Sequence, residues 1–161
     1  MRLVLPLAAL VAFGLAPATA LAQLANVDAC SLITASEAYT AIGVLTNQGH
    51  HLAEPHKDQC RWTDDTTAGP DHRRVSLGIE TLSVFNNMKS SPRLKTEAVS
   101  GVGNEAYFIF PSGGDPILAV RKGGVAFQVK VLNGYKIKPH LTADEVKARE
   151  LVLAAAAAGR A

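Results

Sequence analysis

Three of the five histidines and one of the two cysteines fall in a single stretch, Gly49-His50-His51-Leu52-Ala53-Glu54-Pro55-His56-Lys57-Asp58-Gln59-Cys60-Arg61-Trp62. Imidazole, thiolate and carboxylate are the ligands that zinc and copper take, three or four at a time, at about 2 Å. His50, His51, His56 and Asp58 are therefore candidate metal ligands. Their spacing argues against that use. Neighbouring His50 and His51 diverge on an extended chain, and no Cys-x-x-Cys or His-x-x-x-His on a predicted helix accompanies them. Residues 48–57 show no hydrophobic period and contain Pro55, a pattern that predicts a solvated loop.

Other chemistries are tested in the same way. Gly101-x-Gly103-x-x-Ala106 fits a dinucleotide fingerprint by letter, but that site needs a helix after the glycines. Tyr107-Phe108-Ile109-Phe110 follows and reads as a strand. Gly-x-Ser-x-Gly and His-Glu-x-x-His do not occur, and His72 and His140 stand isolated. A hydrolase would have to assemble its site from scattered residues, and no catalytic residue and no cofactor is assigned. Phe108 and Phe110 share one strand face, expected in the core. Tyr107 and Ile109 share the other, with Tyr107 expected to be partly exposed. Lys136, Lys138 and His140 form a small basic loop.

The elements that must position these residues follow from period and caps. Thr34 with Glu37, and Thr142 with Glu145, are capping boxes that open a short first helix and a closing helix over 143–158. Gly43 and Gly159 end them. Residues 44–47 read as a short strand, and 59–63 as a second with Cys60 and Trp62 on one face. Residues 64–71 are turn-forming. Val75, Leu77 and Ile79 alternate along 74–81. Residues 82–89 suggest a short helix and 105–110 an aromatic strand. Strands 116–121 and 125–132 flank Lys122-Gly123-Gly124 as a hairpin, the second with Val125, Phe127, Val129 and Val131 on a core face and Ala126, Gln128 and Lys130 on a partly wet one. The fold class is α+β, an antiparallel sheet with hairpins covered by an N-terminal and a C-terminal helix.

The first residues, Met-Arg-Leu-Val-Leu-Pro-Leu-Ala-Ala-Leu-Val-Ala-Phe-Gly-Leu, place one positive charge before a short apolar run, and Ala20-Leu21-Ala22 is a signal-peptidase pattern. The run is shorter than the ~20 residues a spanning helix needs. Residues 1–22 are expected to be a signal peptide, 23–28 a tether and 29–161 a single domain. The formal charge of +2, one unit of it from Arg2, argues against nucleic acid or an anionic membrane as main partner. In an oxidising compartment Cys30 and Cys60 read most simply as one disulfide. Free thiols serving redox or metal chemistry are the alternative.

Ala29-Cys30-Ser31-Leu32-Ile33-Thr34-Ala35-Ser36-Glu37 resembles the Cys-x-Leu-Leu-Thr-x-x-Glu start of small exported bacterial domains. Cys60-Arg61-Trp62 resembles their Cys-x-Trp strand. Val99-Ser100-Gly101-Val102-Gly103-Asn104-Glu105-Ala106-Tyr107 resembles their Gly-x-Gly-Asp-Glu-Ala-Tyr turn, with Asn104 where Asp is commoner. Some of these domains are similar to the PsbP-like α/β/α sandwich. The resemblance implies export, a disulfide and a compact α+β domain, and it transfers no catalytic residue. The expected role is a non-enzymatic exported domain, periplasmic or secreted, that binds a partner protein or a small ligand in the cell envelope. Metal binding through His50, His51, His56 and Asp58, and hydrolysis, are the alternatives.

Overall fold

Both expected capping boxes form. Thr34 Oγ1 accepts from the Glu37 N–H while the Glu37 carboxylate accepts from the Thr34 N–H, starting α1 (Ala35–Ile42). Gly43 closes that helix at φ +70°, a conformation that glycine adopts without strain. Thr142 and Glu145 start α3 (Ala143–Ala158) in the same way. Leu141, just before the cap, and Val146 join the core together as a hydrophobic staple. α2 (Leu82–Ser90) opens on Thr81, whose hydroxyl accepts from the Val84 N–H. The computed structural model describes residues 27–44, 46–63, 72–134 and 138–161. The expected signal peptide, most of the tether, the turn at 64–71 and part of the basic loop lie outside the described residues.

Seven strands make one antiparallel sheet: β1 (His50–Ala53), β2 (His56–Thr63), β3 (Arg74–Glu80), β4 (Lys95–Val99), β5 (Glu105–Phe110), β6 (Ile117–Lys122) and β7 (Val125–Leu132). Their spatial order is β1-β2-β3-β7-β6-β5-β4. The chain thus forms two meanders, β1–β3 and β4–β7, and α2 carries it from the first to the far edge of the second. The two meet along β3 and β7, where Val75 faces Val131 and Leu77 faces Val129.

One sheet face carries the main core. Trp62, Val75, Leu118, Phe127 and Val129 are buried there beneath α1 and α3. Glu150 of α3 is buried in the same layer. β6 pairs with β7 only as far as Leu118 opposite Val129, so the Val131 N–H lies beyond the last pair and donates to Glu150 Oε1 at 2.8 Å. Burial pushes this carboxyl up to about 9, so it is protonated at neutral pH. Arg160, at the end of α3, grips Glu37 with both terminal nitrogens (2.9 and 2.7 Å) and donates to the Leu32 carbonyl, tying the last residues to α1.

On the opposite face α2 covers only the second meander. Phe85 packs on Tyr107, Ile109, Ala119 and Ala126. Two expectations are corrected here. Tyr107 is 1% exposed, because α2 lies over it and its hydroxyl donates to the Phe85 carbonyl. Ala126 and Gln128, expected on a partly wet face, are buried for the same reason.

Candidate functional site

The histidine stretch is a hairpin, not a loop. β1 pairs with β2, His50 facing Arg61 and His51 facing Cys60, with an irregularity between His51 and Ala53. Glu54 and Pro55 lie at its tip. The short strand expected over 44–47 does not form among the described residues. The Asn47 N–H bonds only the Thr63 carbonyl, and the strand begins at His50.

The hairpin is pinned on the core side. A single turn of 3-10 helix (Ala29–Ser31) brings Cys30 to Cys60, and the two are joined as a disulfide with Cα atoms 5.0 Å apart. The backbone of Gly49 runs against this bridge: a Cβ there would sit 2.7 Å from Cys60 Sγ and from the Trp62 ring. Asp28 caps the turn by accepting from the Cys30 N–H at 2.8 Å, and the same carboxylate oxygen meets His51 Nε2 at 2.8 Å. His51 Nδ1 faces Glu54 at 3.1 Å. The hydrogen bond to Asp28, reinforced by Glu54, raises the His51 pKa, and Asp28 is lowered in return.

The four expected metal ligands are placed apart in role. His51 is committed to Asp28 and Glu54, while His50, His56 and Asp58 are exposed. The set of metal-type donors that does converge among the described residues, within 4.8 Å, is Asp28, Cys30 and His51, and the Cys30 sulfur is already bound to Cys60.

The site that the structure assembles lies on the other side of the first meander. Beyond the end of α2, strands β1, β2, β3 and β7 present a face that none of the described helices covers, with a hollow of about 270 Å³. Its floor is set by register. Arg61 faces Ser76, and Ser76 faces Lys130. One row on, Arg74 faces Leu132; one row back, Gln59, Gly78 and Gln128 line up. Residues opposed across antiparallel strands share a face, as do alternate residues along one strand, so these side chains converge.

The electrostatics of this hollow are unusual. Arg61, Arg74 and Lys130 line it, with Glu80 as its one carboxylate. Among the described residues neither arginine forms an ion pair, and the Nε of each is buried without a hydrogen-bond partner. Burial and then the adjacent Arg74 lower the Arg61 pKa, although a guanidinium stays charged at any ordinary pH. Glu80 lies at the far end, accepting from Gln128 Nε2 at 3.3 Å, its carboxyl raised by burial.

A second concavity, about 350 Å³ and mainly apolar, runs between α1 and α3 past Thr40, Ala41, Val152 and Ala156. Val152 is 67% exposed at its rim. The charged residues beside it are already engaged: Glu37 with Arg160, and Arg149 with the Ala41 carbonyl.

Sequence reasoning missed the arginine pair. The available signal was phase. Arg61 sits between the core residues Cys60 and Trp62, and Arg74 directly precedes core Val75, so both face away from the main core. Among the described residues no helix is long and apolar enough to cross a membrane. Comparison with family models, curated proteins and solved structures finds no match.

Proposed function

We propose that the chain is an exported, non-enzymatic binding domain that takes a small polar ligand on the open half of its sheet. The observation that carries this reading is the hollow over β1, β2, β3 and β7, where Arg61 and Arg74 lie together with no ion pair among the described residues. Pockets of a few hundred cubic ångströms with a few convergent polar groups are the usual form of small-ligand sites. The Cys30–Cys60 bridge supports export to the periplasm or beyond, since such bonds persist in oxidising compartments. The Ala20-Leu21-Ala22 pattern supports cleavage after Ala22.

The experiment is native mass spectrometry of the mature protein recovered from the envelope fraction, with hydrogen exchange mapped before and after dialysis. A bound small molecule whose loss deprotects β2 and β3 is expected. A second reading, a docked partner protein, is favoured only by the apolar α1–α3 groove. Crosslinks to another protein with protection confined to α1 and α3 would replace the first reading. Retained zinc or copper that is lost on His50→Ala and His56→Ala would instead establish the metal alternative.

A further inference from the structure

The open half-sheet is chemically selective. Two guanidinium groups and the Ser76 hydroxyl lie toward one end of a 270 Å³ hollow and its single lining carboxylate, Glu80, toward the other, with the Lys130 ammonium near enough to Glu80 to act on its charge. Like charges brought together oppose folding unless something offsets them. Several cations elsewhere are offset, Arg160 by Glu37, Arg121 by Glu105 and Lys147 by Glu97, although Arg73 also has a buried Nε without a partner. Arg61 and Arg74 have no such partner among the described residues, and each keeps a buried Nε with nothing to donate to. Two neighbouring guanidinium groups without a counter-charge gain free energy when an anion is placed between them.

From this placement we infer that the hollow binds a small molecule through an oxyanion head, a carboxylate or a phosphate, held between Arg61 and Arg74 with Lys130 and Ser76 completing the cradle. This inference rests on the small-ligand reading above and names its ligand class. The planar guanidinium fork matches both head groups with paired hydrogen bonds. The orientation is also set. Along β3, Glu80 lies four residues from Ser76, roughly 13 Å at the strand rise, so the negative head lies away from it. The part of the ligand reaching Glu80 and Gln128 carries hydrogen-bond donors. The aliphatic edges of the hollow, Leu52 and Leu132, leave room for a short carbon skeleton.

The test titrates the mature, disulfide-bonded protein at low ionic strength with inorganic phosphate and, separately, with succinate, following heat of binding and melting temperature. At least one of them is expected to bind one-to-one and raise the melting temperature, the stronger identifying the head group. Arg61→Gln and Arg74→Gln should each weaken binding at least tenfold, while Arg93→Gln, a cation outside the hollow, leaves it unchanged. Glu80→Gln should strengthen it severalfold. Because neither arginine has an ion-pair partner among the described residues, both substitutions should leave the ligand-free melting temperature equal or higher. Lower ligand-free melting temperatures in both variants would mean that the arginines hold the fold, and would overturn the inference. So would the absence of binding at millimolar oxyanion, or binding indifferent to both substitutions. If native mass spectrometry recovers an uncharged ligand on β2 and β3 that neither oxyanion displaces, the binding reading stands and the oxyanion inference falls.

Discussion

The two halves of one sheet face differ sharply. Over the second meander, α2 buries Tyr107, Ile109, Ala119 and Ala126 beneath Phe85. Over the first, the same face carries Arg61, Arg74, Ser76 and Gln59, and among the described residues no helix lies above it. Both halves share the same main core behind them. Strand alternation is therefore not what distinguishes them. The small residues Ala119 and Ala126 admit a helix, whereas long cations on β2 and β3 would leave any covering helix over unpaired charge. A sheet face left bare in an otherwise layered protein, and furnished with charge, is where binding is to be sought.

The contrast can be broken most severely at Phe85. Phe85→Ala should cost about 3–5 kcal/mol by removing the buried anchor of α2, read as a lower denaturant midpoint. The first meander depends instead on its staple from the core side. Reducing Cys30–Cys60, which closes a loop of separation 30, should cost about 3–4 kcal/mol in the chain-entropy model, read by melting with and without reductant.

Glu150 probes the shared core at β7, where the two halves join. Its folded pKa is raised to about 9 from an ordinary value of 4.5. The stability it contributes is complete below pH 4.5 and drains away as pH rises towards 9. Glu150→Gln keeps the acceptor for the Val131 N–H and removes the ionisation. It should flatten the pH profile over that window and raise stability at neutral pH by on the order of 2–3 kcal/mol. Denaturant melts at pH 5, 7 and 8.5 check this, and parallel profiles for the two proteins would refute it.

The smallest effects sharpen the comparison directly. Ala126→Leu, beneath α2, should cost about 1–3 kcal/mol through overpacking. Ser76→Leu, on the bare half, should stay within about 0.5 kcal/mol while abolishing oxyanion binding. Equal costs at the two positions would mean that the first meander is covered too.

Much of this arrangement was legible from local chemistry. Thr34–Glu37, Thr142–Glu145 and Gly43 announce their caps because capping depends on neighbours three or four residues away. The Gly123-Gly124 hairpin is equally local, with Gly123 at φ +58°. What was not legible depends on distant pairing. His50–Ala53 has no strand pattern of its own. It becomes a strand because β2 supplies a ladder and the Cys30 bridge holds that ladder down. Tyr107 reads as half-exposed until α2, more than fifteen residues earlier, folds over it. The candidate site was hidden for the same reason: Arg61 and Arg74 belong to different strands, and only the β2–β3 register sets them on one surface.

The β3–β7 seam also has a kinetic meaning. The β1–β3 ribbon can zip from nearby residues, but its inner edge, bearing Val75 and Leu77, stays unmatched until the chain as far as Leu132 has emerged. Such an interval exposes a sticky template to other molecules. A chain threaded across a membrane from its N-terminus would meet that hazard midway, and chaperone capture there would guard its yield.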